Sequence, residues 1–224
     1  MQTTSDIWET MSTARSIRRF TDEPVDDATL ARCLDAARQA PSGANAQRWR
    51  FVVLQSPEAR AAVASAAVEA LAVIEPVYGM SRPDPGDDSR QARDNRATYE
   101  LHDRAGEFTS VLFAQIRFPT ASELLLGGSI YPAMQNFLLA ARAQGLGACM
   151  TSWASYGGEP ILREAVGVPD DHLLAGHIVV GWPRGRFGPV RRRPLKKAVN
   201  LDRWDEPADT IVDALSLPVS ARAS

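Results

Sequence analysis

Apolar residues recur along this chain with two periods, one helical and one of strands, and their order predicts its elements. Residues 5 to 14 have helical spacing: Ile7, Trp8, Met11 and Ala14 supply an apolar side, and Asp6 followed by Glu9 can act as a capping box. A second helix should start near Asp26, where Leu30, Cys33, Leu34 and Ala37 recur at helical intervals. It should stop before Pro41, because the residue preceding a proline disfavours the α region. Phe51 to Leu54 is short, β-branched and nearly all apolar, as a buried strand is. Ser56-Pro57-Glu58 then gives an N-cap, a proline preset for the first turn and an acid near the helix dipole, opening an Ala-rich helix to about Glu75.

Farther along, Val111 to Phe118 reads as a strand. Ile130 to Gln144 reads as a helix that is apolar almost all round, with Gly145 at its C-cap. Leu146 to Trp153 and Leu174 to Gly181 read as strands separated by a short helix from about Pro160 to Val166. Strands alternating with helices imply an α+β or mixed α/β sheet. Between residues 77 and 102, Gly79, Pro83, Pro85 and Gly86 stand among many Asp and Arg residues, which predicts a mobile lid or insertion. Residues 200–224 read as a C-terminal extension of a single domain covering 1–224.

Composition narrows the function classes. The 224 residues are 45% hydrophobic and 23% charged, an ordinary globular mixture. Their formal net charge of -2 provides no global field for nucleic acid or an anionic membrane, so neither is expected as a partner and any anion site must be local. The two cysteines, Cys33 and Cys149, lie far apart and suggest neither a disulfide framework nor a metal site, and a reducing cytoplasm fits them best. The first thirty residues lack the apolar run of a secretory signal, and no segment is expected to reach the roughly 20 apolar residues that span a bilayer.

Several familiar chemistries are missing. Gly145-Leu146-Gly147 does not continue into GxGxxG, GxxxxGK[ST] and GxSxG are absent, and His102, His172 and His177 form no ligand-spaced cluster. Those histidines read as structural or surface residues. What remains is a basic knot, Arg15-Ser16-Ile17-Arg18-Arg19-Phe20, whose guanidinium forks and hydroxyl have the density that suits a phosphate, although a solvated helix end would carry the same charges. A second basic cluster follows late: Arg184, Arg186, Arg191, Arg192, Arg193, Lys196 and Lys197. Between them the loop Pro41-Ser42-Gly43-Ala44-Asn45-Ala46-Gln47 combines small residues with two amides that can read the edge of a heterocycle, or it is an ordinary turn after a helix. Cys149, in a strand, reads as a small buried hydrophobe.

Taken in order, these motifs resemble the FMN-dependent nitroreductase family. Arg15-Ser16-Ile17-Arg18-Arg19-Phe20 is similar to its R-S-x-R-x-F signature, and Pro41 to Trp49 to its P-S-x-x-N-x-Q-P-W loop, with Arg48 standing where that motif has proline. Ile130 to Asn136 with Gly145 to Ala148 resembles its central helix and following turn, and Arg192 to Leu195 with Asp202-Arg203-Trp204 its C-terminal segment. The resemblance implies a central mixed sheet flanked by helices and an intertwined homodimer with FMN at the interface. It also implies NADH or NADPH as co-substrate and ping-pong hydride transfer to a small-molecule electron acceptor such as a nitroaromatic or quinone. By the same resemblance Arg15, Ser16 and Arg192, with Arg193 beside it, hold the phosphate, and Arg18 reaches the pyrimidine side of the flavin. Pro41, Ser42, Gly43 and Asn45 line the ring, partly from the partner subunit. Cys149, Met150, Thr151 and Ser152 form a strand end that contacts the flavin through its backbone. No metal and no side-chain nucleophile are expected.

Overall fold

The helices begin where the sequence caps them. In the computed structural model, which describes residues 2–118 and 120–215, the side chains of Asp6, Asp26, Ser56, Ser89 and Ser122 each accept a hydrogen bond from the backbone amide three residues on. Each satisfies one of the orphan donors of a first turn. The helices so opened are α1 (Ile7–Thr13), α2 (Asp27–Arg38), α3 (Pro57–Tyr78), α4 (Arg90–Asp103) and α5 (Glu123–Ala143). The strands are β1 (Trp49–Leu54), β2 (Thr109–Ile116), β3 (Gly147–Thr151) and β4 (His172–Gly181), with α6 (Glu159–Val166) between the last two. At α1 the return half of the capping box is not made, because the Glu9 carboxylate accepts from the Thr4 hydroxyl at 2.7 Å and from Arg142 at 3.2 Å instead.

The chain divides into two compact units, residues 1–189 and 190–224. In the first, the strands form one sheet in the order β1-β2-β4-β3, every neighbouring pair antiparallel. A parallel bridge between Ser16 and Ala148 on the outer side of β3 supplies the mixed character that the sequence implied. The fold is α+β. Side chains alternate across the sheet: Leu112, Cys149 and Val179 join a core with α3 and Trp153, whereas Val111, Phe113, Ala148, Ile178 and Val180 join a second core with α2 and α5. The second unit carries the short turn Leu195–Lys197, an isolated bridge between Asn200 and Pro207, and α7 (Asp209–Ala214).

Four features add to or depart from the sequence reading. Residues 77–102 contain α4, whose Tyr99 donates to Glu75 of α3 at 2.7 Å and whose Asp103 takes a bidentate pair from Arg82 at 2.9 and 2.6 Å. Helix α5 starts at Glu123 rather than near Ile130, since Ser122 caps it and Gly127-Gly128 lie inside it rather than breaking it. The 22-residue α3 and 21-residue α5 are long and apolar enough to cross a membrane, against the expectation that no segment would be. Here they flank the sheet, one contributing to each core. The apolar side of α1 is also not buried within the chain: Trp8 is 76% exposed, while Thr10 is buried.

Phe20 has no exposed surface and meets Phe108 edge-on at a centroid distance of 5.0 Å. Phe20→Ala removes a fully packed ring from the core and is expected to cost about 3–5 kcal/mol of stability, read as a lower urea midpoint at unchanged slope.

Candidate active site

Backbone pairing places the basic knot. The Ile17 amide donates to the Ala148 carbonyl at 3.0 Å, so residues 16–18 run beside β3 as an added edge. Gly147 permits this approach, because a Cβ there would lie 2.7 Å from Ile17 Cγ2. On the other side Phe20 bridges Pro183, and the Thr21 and Arg184 amides donate to Trp182 and Arg19 carbonyls at 2.8 and 3.1 Å. The segment is therefore held along its length, with Ile17 and Phe20 turned into the core.

Its arginines have different fates. Arg19 donates to Glu100 Oε2 at 2.8 Å and Arg184 to Glu100 Oε1 at 2.6 Å, so one carboxylate on α4 pairs with a member of each basic cluster. Arg15, exposed, and Arg18, half-buried, make no hydrogen bond or ion pair among the described residues. Burial raises the Cys149 thiol above its ordinary range, and the charge of Arg18 and the Ser16 side chain partly oppose that rise. The same Arg18 charge helps burial to lower His102. Ser16, Arg18 and Cys149 are thus brought together. A half-buried guanidinium without an anion is an unfavourable arrangement that a bound anion would relieve.

Behind this edge lies a stack that the sequence does not announce. The Trp153 ring stands 5.2 Å from both the His102 and the His177 ring centroids. His102 Nδ1 must donate to the Thr98 carbonyl, 2.8 Å away, which leaves Nε2 to accept from the Trp153 indole at 2.8 Å. That is a satisfied neutral imidazole. His177 is fully buried, lies 3.0 Å from the Thr151 hydroxyl through Nδ1, and has no partner for Nε2 among the described residues. Burial pushes it down to about 3. Thr151, which also donates to the His177 carbonyl at 3.3 Å, is fixed at the end of β3, from which Met150 and Ser152 are exposed.

The loop after α2 sits elsewhere. Ala44, Asn45 and Gln47 all have positive φ, at 51°, 54° and 49°, a backbone cost of order 1 kcal/mol or more each for residues with a Cβ. Local bonds hold them there: the Gln47 amide donates to Ser42 Oγ at 3.0 Å, the Gln47 side chain to Asn45 Oδ1 at 3.0 Å, and the Gly43 amide to Ser129 of α5 at 3.3 Å. Pro41, Gly43 and Asn45 are exposed and Ser42 is half-buried. No hydrogen bond or ion pair among the described residues joins this loop to Arg15–Arg18. The loop is anchored on α5, whereas Cys149 and His102, which Arg18 influences, lie on the opposite face of the sheet. Arg192 and Arg193 are exposed in the second unit, and Arg192 donates to the Arg191 carbonyl at 3.1 Å.

The profile of the Nitroreductase family matches residues 11–182, most of the chain and all of the elements just described except α1's first turn and the second unit. The chain belongs to the nitroreductase family. Among its relatives in that family, the nitrobenzene nitroreductase of Ectopseudomonas oleovorans is 28% identical over 208 residues, covering 81% of this chain and 88% of the relative. The 5,6-dimethylbenzimidazole synthase of Rhodospirillum rubrum is 28% identical over 190 residues, covering 80% and 87%. The crystal structure of the FMN and NADPH-dependent nitroreductase NfnB from Sphigopyxis sp. strain HMH superposes with a TM-score of 0.64 at 24% identity, covering 89% of this chain and 100% of that one. That likeness establishes the nitroreductase fold.

The donor set of this nitroreductase-family chain fits a phosphorylated planar cofactor: two free guanidinium groups, the Ser16 hydroxyl, and an exposed strand end at Met150–Ser152. Sequence reasoning missed Glu100 and the His102–Trp153–His177 stack, since their partners lie 81 and 51 residues apart and share no motif.

The stack gives a pH signature. His177 has a folded value near 3 against about 6.5 when unfolded, so the unfolded chain binds the extra proton; stability is full above about pH 6.5 and falls as pH drops toward 3. Between pH 7 and pH 5, unfolding free energy is expected to fall by about 2 kcal/mol more in the native protein than in His177→Gln. Equal falls in urea titrations of the two proteins would show that His177 is not buried neutral.

Proposed function

We propose that this nitroreductase-family oxidoreductase is an FMN-dependent enzyme. It takes hydride from NADH or NADPH and passes it to a nitroaromatic, quinone or similar acceptor, acting as a cytoplasmic homodimer. The observation that carries this reading is the division among the N-terminal arginines: Arg19 is paired with Glu100, while Arg15 and Arg18 have no ion-pair partner among the described residues. The named dependence of NfnB on FMN and NADPH supports the choice of cofactor and co-substrate.

When bound, FMN supplies the hydride chemistry through its N5 atom. The protein's part is position and field. Arg15 and Ser16 hold the phosphate, each charge-assisted bond contributing roughly 1.5–3 kcal/mol. Arg18, carried on a backbone segment paired on both sides, places positive charge against the pyrimidine edge of the ring and favours electron-rich states there. Met150 to Ser152 offer backbone groups to the ring from the end of β3, and the family resemblance adds Arg192 and Arg193 as further phosphate ligands. Pro41, Ser42, Gly43 and Asn45 line the ring from the second copy of the chain, in keeping with a loop held on the other face of the sheet from Arg18. The apolar side of α1 and the exposed Leu124, Leu125, Tyr131 and Met150 provide surface for that second copy.

A second reading has one observation in its favour: a relative named for benzimidazole synthesis matches at the same 28% identity as one named for nitrobenzene reduction. The chain would then carry another flavin chemistry, such as reductive dehalogenation, azoline dehydrogenation or breakdown of the flavin itself, or store flavin without turnover. Anaerobic reoxidation by nitro compounds and quinones separates the readings, because only the first expects these acceptors to work.

The purified protein should show the visible absorption of flavin when FMN is added. Arg15→Ala is expected to weaken FMN binding tenfold or more, by about 1.5–3 kcal/mol. Arg18→Ala should retain most of the cofactor and be reduced more slowly by both nicotinamides in stopped-flow mixing. A colourless protein with added FMN, or the same loss from both variants, contradicts the assignment.

A further inference from the structure

At the Pro41–Gln47 loop lies a cavity of about 220 Å³ that shares Ser42 and Gly43 with the proposed flavin-lining loop but has Arg48, Gln115 and Phe118, to which the flavin reading gives no role, on its walls. It is smaller than the roughly 300–1,000 Å³ of sites for drug-sized ligands, so it suits a single ring and is too small for a flavin. Its walls are the loop itself and the start of α5, with Phe118, Leu126 and Ser129 among the lining residues.

Two polar side-chain groups on this cavity lack a hydrogen-bond partner among the described residues. Gln115, also on its wall, is 3% exposed, and its Oε1 is buried without a hydrogen-bond partner among the described residues. An acceptor left so is destabilising, and a ligand donor would relieve it. Arg48, on the same wall, lies over the Phe118 ring at 4.1 Å from guanidinium carbon to centroid. Its guanidinium makes no ion pair or hydrogen bond among the described residues, so an exposed cation positioned by Phe118 and with unused donors lines this cavity. Arg48 is also the residue that stands where the family's loop motif has proline, so this feature belongs to this chain rather than to the motif. The Ser129 hydroxyl is already engaged by the Gly43 amide at 3.3 Å, which couples the cavity wall to the strained loop.

We propose that this cavity binds a small aromatic carboxylate carrying a hydroxyl or amino group. Its carboxylate pairs with Arg48, its ring lies among Phe118 and Leu126, and its donor reaches Gln115 Oε1. The inference does not depend on flavin turnover, and its readout is binding.

The test is calorimetric titration of the FMN-saturated protein with para-hydroxybenzoate, benzoate and para-hydroxybenzyl alcohol. The expected order is para-hydroxybenzoate tightest, with benzoate and the alcohol each weaker by about tenfold, the equivalent of one 1.4 kcal/mol interaction. Arg48→Met should reduce para-hydroxybenzoate binding to the level of the alcohol, and Gln115→Met should bind para-hydroxybenzoate no better than benzoate. Gln115→Met replaces an unsatisfied buried amide with an apolar chain of similar length and is expected to melt no lower than the native protein. Absence of binding by all three probes, or the same affinity for all three in the native protein, overturns the proposal without recourse to variants. So does native-like binding by both variants. Because FMN content is measured in the same samples, loss of aromatic binding with flavin retained separates failure of this inference from failure of the flavin reading.

Discussion

The hydrogen bond from the Ile17 amide to the Ala148 carbonyl is the constraint on which the rest turns. It lays a segment from the start of the chain against the edge strand of the sheet, and Gly147 leaves room for it. Phe20 is buried and Ile17 packs against the same core, and Arg18 between them is half-buried beside β3. A free charge there is stable only because solvent or a ligand can still reach it. Glu100 matters for the same reason: by pairing with both Arg19 and Arg184 it leaves Arg15 and Arg18 as the arginines of this segment without an ion-pair partner among the described residues.

Much of the fold was legible because it rests on local signals. Caps at Asp6, Asp26 and Ser56, the stop before Pro41, and the apolar runs of β1 and β4 all act within a few residues, and the structure places elements at each. The start of α5 was not legible, since Gly127-Gly128 resembles a break until tertiary packing decides otherwise. Helix α4 was hidden for a related reason. Its sequence is almost wholly polar, and only Ala92, Tyr99, Leu101 and His102 are buried, too few for periodicity to show among so many charges. The basic knot was visible as a cluster, but the separate fates of Arg18 and Arg19 depend on Glu100, more than eighty positions away.

The sheet also accounts for why the site motifs lie so far apart within one chain. Ser16, Arg18 and Cys149 meet at one edge, while the loop from Pro41 to Gln47 is fastened to α5 on the other face. Three residues of that loop carry left-handed backbone at a cost, and the bonds that hold them are local. A loop kept strained and exposed on one face is suited to serve a ligand outside its own protomer. The same sheet supports the buried histidine and tryptophan stack, so the strand end at Met150–Ser152 is backed by a rigid, neutral scaffold rather than by titrating groups.

A crystal structure of the protein loaded with FMN addresses the central claim most directly. The account predicts one flavin per chain at the β3 edge, with Arg15 and Ser16 on its phosphate, Arg18 on the pyrimidine edge, and Ser42 to Asn45 supplied by the other copy. A flavin bound away from that edge, or Arg15 and Arg18 turned into solvent with the cofactor present, would contradict it.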